Sequence, residues 1–252
     1  MIMVDTHCHL DIDEYENVEE VIKNMGNNIM IASGYNNKSN KRVLELINKY
    51  ENIYGTIGIH PNEFESMNDE SIKYIEDNLN NKKIVGIGEI GLDYNWDTEN
   101  KELQKEYFIK QILLAKKYNK VIVIHSRDAC MDTYNILKEN LDNIKAVMHC
   151  YSYSKEMALE FKKIGLKFGI GGVVTFKNSS KLQEVVKSLN LEDILLETDS
   201  PYLSPEPLRG KKNEPKNVYL VAQKIAELKG ASVDEIIRNT TNNAASVFDL
   251  NM

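Results

Sequence analysis

The stretch "VIVIHSRDA", residues 121–129, contains the unit that the rest of the chain repeats. Its apolar run ends at His125, and apolar residues spaced three and four apart follow it at residues 131–140. A short apolar run bounded by polar residues is typical of a buried strand, and the second spacing is typical of an amphipathic helix. The stretch therefore predicts one strand–helix unit with a histidine at the carboxyl end of the strand.

The same unit recurs along the 252 residues. We predict strands at residues 2–5, 29–33, 53–60, 84–89, 121–125, 146–149, 166–171 and 194–199. Helices are predicted at residues 18–25, 40–50, 71–79, 102–118, 131–140, 155–164, 182–189 and 218–228, with an extra C-terminal helix packed outside at residues 233–248. Eight strands alternating with eight helices predict a closed parallel barrel, the (β/α)8 TIM barrel of the α/β class.

An open doubly wound sheet is the competing architecture. The count of eight strands favours the barrel, and so does the lack of a glycine-rich phosphate loop after the first strand. No segment rich in proline, glycine and serine divides the chain. Residues 1–252 are therefore predicted to form a single domain.

The composition narrows the classes of function. With 31 basic and 38 acidic residues the net charge is −7, which opposes sequence-independent binding along duplex nucleic acid. The same net charge is compatible with a small site where metal ions and a few lysines bind one phosphate chain. No apolar stretch has the length of a membrane span, and the chain does not open like a signal peptide. Three cysteines without a paired spacing predict a reducing compartment, so we expect a cytoplasmic protein with no membrane partner.

Histidines occur at the carboxyl ends of the predicted strands. All five do so: His7, His9, His60, His125 and His149. Glu89 and Asp199 lie at the same end of two further strands. Barrel active sites are assembled at this rim from several strands, and residues two apart share one face of a strand. One such histidine is more often structural, but five beside two carboxylates indicate a metal site.

Six of these side chains are candidate ligands: His7, His9, Glu89, His125, His149 and Asp199. They exceed the needs of one tetrahedral ion, so we expect two divalent ions, with Glu89 as the simplest bridge between them. Mixed imidazole and carboxylate ligands suit transition metals better than calcium. Zinc, magnesium and manganese are the candidates.

Motifs from end to end give the chain a family resemblance. They are "DTHCHLD", "GIHP", "VGIGEIGLDY", "VIVIHSRDA", "HCYS", "GGVVTFKN", "LLETDSPYLSP" and "RGKKNEP". With these motifs the chain resembles the TatD family of metal-dependent deoxyribonucleases, within the amidohydrolase-like barrels. The resemblance implies the same six ligands and a deoxyribonuclease activity. Three positions depart from the family pattern, Tyr153, Asn62 and Lys212, and none is a proposed ligand.

Carboxylates near the ligands have separate expected roles. Asp199 is the candidate general base, because a carboxylate beside divalent ions can take the proton of an attacking water; the alternative is a pure ligand. Glu197 lies one step deeper on the same face and is expected to be a buried hydrogen-bonding partner. Asp93 is expected to orient a ligand histidine from behind.

Substrate contacts are predicted at two places on the rim. Arg127 points inward two residues after His125 and can clamp a phosphate oxygen, although an ion pair with Asp128 or Glu89 is an equal alternative. His60 can donate to a phosphate or serve structure alone. The basic loop residues Arg209, Lys211 and Lys212 contact the substrate or are simply solvated. Aromatic residues near the strand ends, among them Trp96 and Tyr202, either stack on bases or pack within loops.

These features predict a metal-dependent hydrolase, and the family resemblance implies DNA as its substrate. We expect an exonuclease that acts on single strands, frayed ends or 3′ ends of DNA, with no obligate protein partner. A closed rim admits a chain end more readily than the middle of a duplex. The alternatives are another hydrolase on the same scaffold, such as an aminoacyl-tRNA deacylase or a small-molecule esterase, and a non-catalytic metal-binding protein.

Overall fold

Parallel strands alternate with helices along the chain. The computed structural model describes residues 1–10 and 13–251, so Asp11 of the first motif lies outside the described residues. Within these ranges eight strands form one sheet in chain order, each paired parallel to the next. The strands are β1 (Val4–Cys8), β2 (Ile29–Ser33), β3 (Ile53–Ile57), β4 (Ile84–Asp93), β5 (Val121–Arg127), β6 (Ala146–Met148), β7 (Leu166–Ile170) and β8 (Ile194–Leu196).

Helices follow the strands and cover the outside of the sheet. They are α1 (Val18–Asn24), α2 (Asn37–Lys49), α3 (Asp69–Asn78), α4 (Lys101–Tyr118), α5 (Cys130–Asn140), α6 (Lys155–Lys163), α7 (Ser180–Ser188), α8 (Val218–Lys229) and α9 (Val233–Phe248). The predicted (β/α)8 barrel with an extra C-terminal helix is confirmed. In the described part of the chain no helix has the length and apolar character needed to cross a bilayer.

The barrel closes between β1 and the loop that follows β8. Cys8 forms a parallel bridge with Ser200, and the His9 N–H donates to the Ser200 carbonyl at 2.7 Å. The Asp199 N–H donates to the His7 carbonyl at 3.0 Å. These contacts, which we call the seam, exclude the open doubly wound sheet.

The interior of the barrel is a separate apolar layer beneath the rim. Val121 and Val123 share a face with His125, because side chains alternate along a strand. They cluster with the equivalent residues of other strands and with Val247 and Phe248 of α9. The carboxyl-terminal part of α9 therefore covers the amino-terminal end of the barrel, opposite the histidines, while Ile236 and Ile237 of the same helix pack in the outer core.

Side-chain caps explain where several helices begin. Asn36 accepts from the Ser39 N–H ahead of α2, and the Ser39 hydroxyl completes the reciprocal capping box. Asn68 accepts from the Ser71 N–H ahead of α3. Both helices start two or three residues before the predicted positions, because the caps precede the apolar pattern that the prediction followed.

Strand ends differ from the prediction where side chains replace the backbone ladder. Strand β3 ends at Ile57, not at residue 60, because the Asn40 amide satisfies both backbone groups of Gly58 and Gln111 satisfies those of Ile59. Strand β4 continues past Glu89 to Asp93. Glu89 therefore lies inside a strand and not, as was predicted, at its carboxyl end.

Candidate metal centre

Two imidazoles and two carboxylates converge at the seam. The Nε2 atoms of His7 and His9 lie 3.3 Å apart. Each is 3.4–3.7 Å from Glu89 Oε2 and Asp199 Oδ1. Four ligands at about 2.0–2.2 Å from a tetrahedral ion stand about 3.4 Å from one another. The spacing of these atoms therefore fits a divalent ion, and we call them the first ligand group.

The other oxygen of Glu89 faces a second ligand group. Glu89 Oε1 lies 2.9 Å from His125 Nδ1 and 2.9 Å from His149 Nε2. The ring of His149 also stacks on that of His7, with centroids 3.9 Å apart. One carboxylate thus has an oxygen directed at each group, and all six predicted ligands lie together.

A bulge in β4 directs Glu89 inward. Between Ile87 and Ile90, β4 has one residue more than the paired part of β5. Bulges of this kind redirect side chains and are frequent beside active sites. Gly91, at φ +146°, permits the bend, because a Cβ there would stand 1.9 Å from the His125 carbonyl oxygen.

Partners behind the imidazoles fix which nitrogen faces the centre. The Nδ1–H of His9 donates to the Ser33 carbonyl at 3.0 Å, so Nε2 keeps its lone pair. The Ser33 hydroxyl shares a hydrogen bond with His7 Nδ1 and accepts from the Thr56 hydroxyl. The Nε2 of His125 lies 3.0 Å from Asp93 Oδ2, as expected for Asp93. Such partners raise ligand basicity and hold ring orientation.

Sequence reasoning missed Ser33 and Thr56. The available signal was a polar residue near the carboxyl end of an otherwise apolar strand, in β2 and β3 respectively.

Glu197 supports the second ligand group from below. Its buried carboxylate accepts from the Cys150 N–H at 2.6 Å and has Oε1 3.7 Å from His149 Nδ1. Asp5, also buried, accepts from the hydroxyl and N–H of Thr198 at 2.6 and 2.9 Å. Thr198 precedes Asp199, so Asp5 fixes the turn that carries that carboxylate.

The electrostatics favour ionised carboxylates at the centre. Burial would raise the pKa of Glu89, but the imidazoles of His149, His60 and His125 outweigh it and hold that pKa well below its usual range. Burial also acts to raise the pKa of Asp199, but the contacts with His9, His149 and His7 outweigh it and lower that pKa. Negative charge among imidazole nitrogens is the donor set of a transition-metal site.

A cleft of about 700 Å³ opens over both ligand groups. Glu89, His125, His149 and Asp199 lie at its floor, and Arg127, Trp96 and Tyr202 are among its other lining residues. Asp199 is 15 % exposed, so a molecule in the cleft can reach it.

His60 and Arg127, the two residues predicted to contact the substrate near strand ends, both line the cleft. Burial lowers the pKa of His60 to about 3, so the ring is neutral. Its Nδ1 accepts from the Asn62 N–H at 3.2 Å, which leaves Nε2–H as a donor 3.5 Å from Glu89 Oε1. Arg127 is exposed, and within residues 1–10 and 13–251 it forms no ion pair, so the alternative partners Asp128 and Glu89 are not used.

The basic loop, residues 209–212, lies apart from the residues that line the cleft. Arg209 stacks over Phe176, 4.4 Å from the ring centroid, and Lys212 binds the Glu14 carbonyl. Arg209, Lys211 and Lys212 are exposed, and none is among the described residues that line the cleft. A contact with a longer substrate stays a prediction for this loop.

Comparisons with known proteins found similar sequences and a similar fold over nearly the whole chain. The sequence model of a family described as TatD related DNase matches residues 4–249. The uncharacterized metal-dependent hydrolase YabD of Bacillus subtilis is 42 % identical over 255 residues, covering 99 % of this chain and 100 % of the relative. The uncharacterized metal-dependent hydrolase YcfH of Escherichia coli is 34 % identical, covering 99 % and 97 %. The crystal structure of YjjV, a TatD homolog from Escherichia coli, superposes with a TM-score of 0.88 at 30 % identity, covering 99 % and 98 % of the two chains.

Proposed function

This chain belongs to the TatD related DNase family of metal-dependent hydrolases, and from that premise we propose that it hydrolyses phosphodiester bonds of DNA with two divalent ions. We propose further that it is an exonuclease acting on single-stranded or frayed ends. One ion would be held by His7, His9 and Asp199. The other would be held by His125 and His149, and Glu89 would contribute to both.

The position of Glu89 carries the proposal. One buried carboxylate directs Oε2 to the first ligand group and Oε1 to the second. When bound, divalent ions supply a Lewis acid that polarises a phosphoryl oxygen and acidifies a water. The donor set admits zinc and manganese readily, and magnesium is the third candidate.

Asp199 is placed to take a proton from the attacking water. Its Oδ1 belongs to the first ligand group, and the side chain is accessible from the cleft. The N–H of Asp199 donates to the His7 carbonyl, so the carboxylate is held at the seam. A positioned carboxylate of this kind acts as a general base.

Two features support a nucleic-acid chain end as the substrate. Arg127 is an exposed cation on the cleft wall, and the His60 Nε2–H is a neutral donor near the floor, so a phosphate can be received from both sides. The reacting groups lie at the bottom of a closed rim, which a strand end enters more readily than a duplex. The net charge of −7 argues against broad duplex binding.

The experiment compares Asp199→Asn with His125→Ala on end-labelled DNA. Metal-depleted protein is supplied with each divalent ion in turn, and single-stranded, frayed and blunt substrates are offered. Asp199→Asn should retain at least one bound metal ion and lose about 10²–10⁴-fold in kcat, because the amide cannot accept the proton. His125→Ala should lose metal instead, so excess metal restores part of its activity.

Excess metal should not rescue Asp199→Asn. Near wild-type cleavage by that variant would show that Asp199 is not the base. The wild-type protein could instead hydrolyse aminoacyl-tRNA or a simple ester and cleave no DNA with any of the ions. That result would reject the nuclease proposal in favour of another hydrolase on the same scaffold.

We also propose a cytoplasmic location. Cys8, Cys130 and Cys150 are free thiols in the structure, as a reducing compartment maintains them. Fractionation of cells that produce the protein tests this, and recovery outside the cytoplasm would contradict it.

A further inference from the structure

Two exposed aromatic side chains stand at the mouth of the cleft. Trp96 is 74 % exposed and Tyr202 is 50 % exposed, and both line the cleft. Single exposed apolar side chains are common on protein surfaces, but these two lie on the lining of the cleft above the ligand groups. Tyr151 and Tyr153, in contrast, are packed within the loop after β6, where each hydroxyl is hydrogen-bonded.

Each of the two exposed residues is anchored through its backbone N–H to an aspartate of the site, Trp96 to the Asp93 carboxylate and Tyr202 to the Asp199 backbone carbonyl. The Trp96 N–H donates to Asp93 Oδ1 at 3.2 Å, while Asp93 Oδ2 holds His125. The Tyr202 N–H donates to the Asp199 carbonyl at 2.9 Å, and its ring centroid is 6.1 Å from that of His9. The backbones that carry the two rings are thus fixed to the catalytic floor.

The rings come from opposite sides of the barrel. Trp96 follows β4 and Tyr202 follows β8. These two strands lie four positions apart in the eight-stranded barrel of the described residues, on opposite sides of it. A ligand whose reacting bond lies over Glu89 therefore extends toward one ring in each direction. The phosphate contacts at the floor and the aromatic faces at the mouth match the alternation of phosphate and base along a nucleic-acid strand.

We infer that Trp96 and Tyr202 stack on unpaired nucleobases next to the scissile phosphate, an inference that rests on the proposed phosphodiesterase function. A base inside a duplex already stacks on both of its neighbours, so an unpaired base lies on either ring more readily. Every base has a π face, so this contact tolerates sequence. The two rings therefore select single strands and frayed ends over duplex without reading sequence.

A fluorescence titration tests the stacking without any cleavage. Trp96 is the single tryptophan of the sequence, so the intrinsic tryptophan emission reports on this ring alone. Deoxyadenosine 5′-monophosphate should quench the emission of the metal-loaded protein to saturation, and deoxyribose 5-phosphate should quench it much less. Equal quenching by the two compounds, or none by the nucleotide, would overturn the inference for Trp96.

Kinetics on matched strands test both rings. Single-stranded DNA and the same strand with abasic sites at its terminal positions share one backbone and differ only in bases. Trp96→Ala and Tyr202→Ala should each reduce the preference of kcat/KM for the base-bearing strand by roughly 5- to 150-fold. Trp96→Phe and Tyr202→Phe keep a flat ring and should restore most of that preference.

Tyr219→Ala is the matched control. Tyr219 is 42 % exposed on α8 and does not line the cleft, so this variant should cleave both strands like the wild type. An unchanged preference in both alanine variants overturns the inference while leaving the nuclease proposal intact. If the wild type cleaves neither strand with any ion, the nuclease proposal fails, and the titration still decides whether Trp96 binds a base.

Discussion

At the scale of single residues, Gly169 shows how closely the support of the centre is packed. A Cβ at this position would stand 2.0 Å from Glu197 Oε2. Glu197 in turn holds the Cys150 N–H and lies beside His149. A methyl group added at this position of β7 would therefore displace the Glu197 carboxylate, and through it disturb the second ligand group.

Gly169→Ala should displace Glu197 and disturb His149. We expect the free energy of unfolding to fall by about 1–3 kcal/mol from overpacking, and metal affinity to fall by about 10–100-fold from loss of the support behind the imidazole. Urea unfolding and metal titration measure the two effects.

Gly171→Ala is the matched control on the same strand end. A Cβ there would meet Glu197 only at 3.6 Å or more, an ordinary contact. Equal losses in the two variants would show that the contact with Glu197 is not the cause.

Strand alternation located most of the site from sequence alone. His7, His125 and His149 were predicted from their places at strand ends, and the structure brings them together with Glu89. It does not follow from alternation that Glu89 faces inward, since the bulge in β4 adds one residue. Ser33 was missed because a serine at a strand end is common and its role depends on two histidines far away in sequence.

At the scale of elements, a buried carboxylate joins the turn before β8 to its neighbours. Asp193 is 3 % exposed, with Oδ2 2.5 Å from Lys162 of α6 and Oδ1 3.2 Å from Lys167 of β7. Burial acts to raise the pKa of Asp193, but the two lysines outweigh it and lower that pKa.

Asp193→Asn should destabilise the protein at neutral pH and have less effect in acid. Because the folded pKa lies below the unfolded one, the carboxylate contributes stability above the unfolded value of about 3.9 and loses it as pH falls through the folded value. The lysines are about one-third exposed, so we expect a loss of only about 1–2 kcal/mol at pH 7. The gap between variant and wild type should narrow below about pH 4.

Unfolding by urea at several pH values measures this gap. Glu192→Gln, one residue earlier in the same turn, removes an exposed carboxylate that hydrogen-bonds only Asn190 in the described structure, and it should change little. A gap for Asp193→Asn that stays constant down to low pH would contradict the ion-pair explanation.

Element boundaries were predictable only where local signals set them. Helix α5 ends at Asn140 as predicted, since its pattern and end are local. Strand β3 ends early because of Asn40 and Gln111, whose amides come from 18 and 52 residues away. The sequence of the strand itself therefore does not predict where β3 ends.

At the scale of the whole molecule, the candidate ligands span the barrel. They come from β1, β4 and β5 and from the segments that follow β1, β6 and β8. Ions held there would join strands from both ends of the chain. Metal binding should therefore stabilise the fold as a whole.

Removal of metal by a chelator should lower the melting temperature. An ion at 100 times its Kd adds about 2.7 kcal/mol, which corresponds to about 5–10 °C for a chain of this size. Calorimetry with and without added zinc or manganese measures the shift, and His7→Ala should show a smaller one. A melting temperature that neither chelator nor added ion changes would contradict metal binding by the native state.

The repeated strand–helix unit made the barrel predictable, but the placement of α9 was not. The pattern of residues 233–248 indicated a helix packed outside. Its first apolar residues, Ile236 and Ile237, do pack in the outer core, but its last ones, Val247 and Phe248, meet the interior layer of the strands. Periodicity gives the apolar face of a helix and not the surface that receives it.

The seam also has a consequence for synthesis on the ribosome. The Thr6 hydroxyl donates to the Leu196 carbonyl, a partner 190 residues later in the chain. Translation adds about 5–20 residues per second, so β8 is synthesised about 10 to 40 s after β1. During that interval the edge of β1 that will pair at the seam has no partner. An unpaired strand edge can pair with another chain during that time. Nascent chains of this protein should therefore depend on chaperones until β8 has left the ribosome.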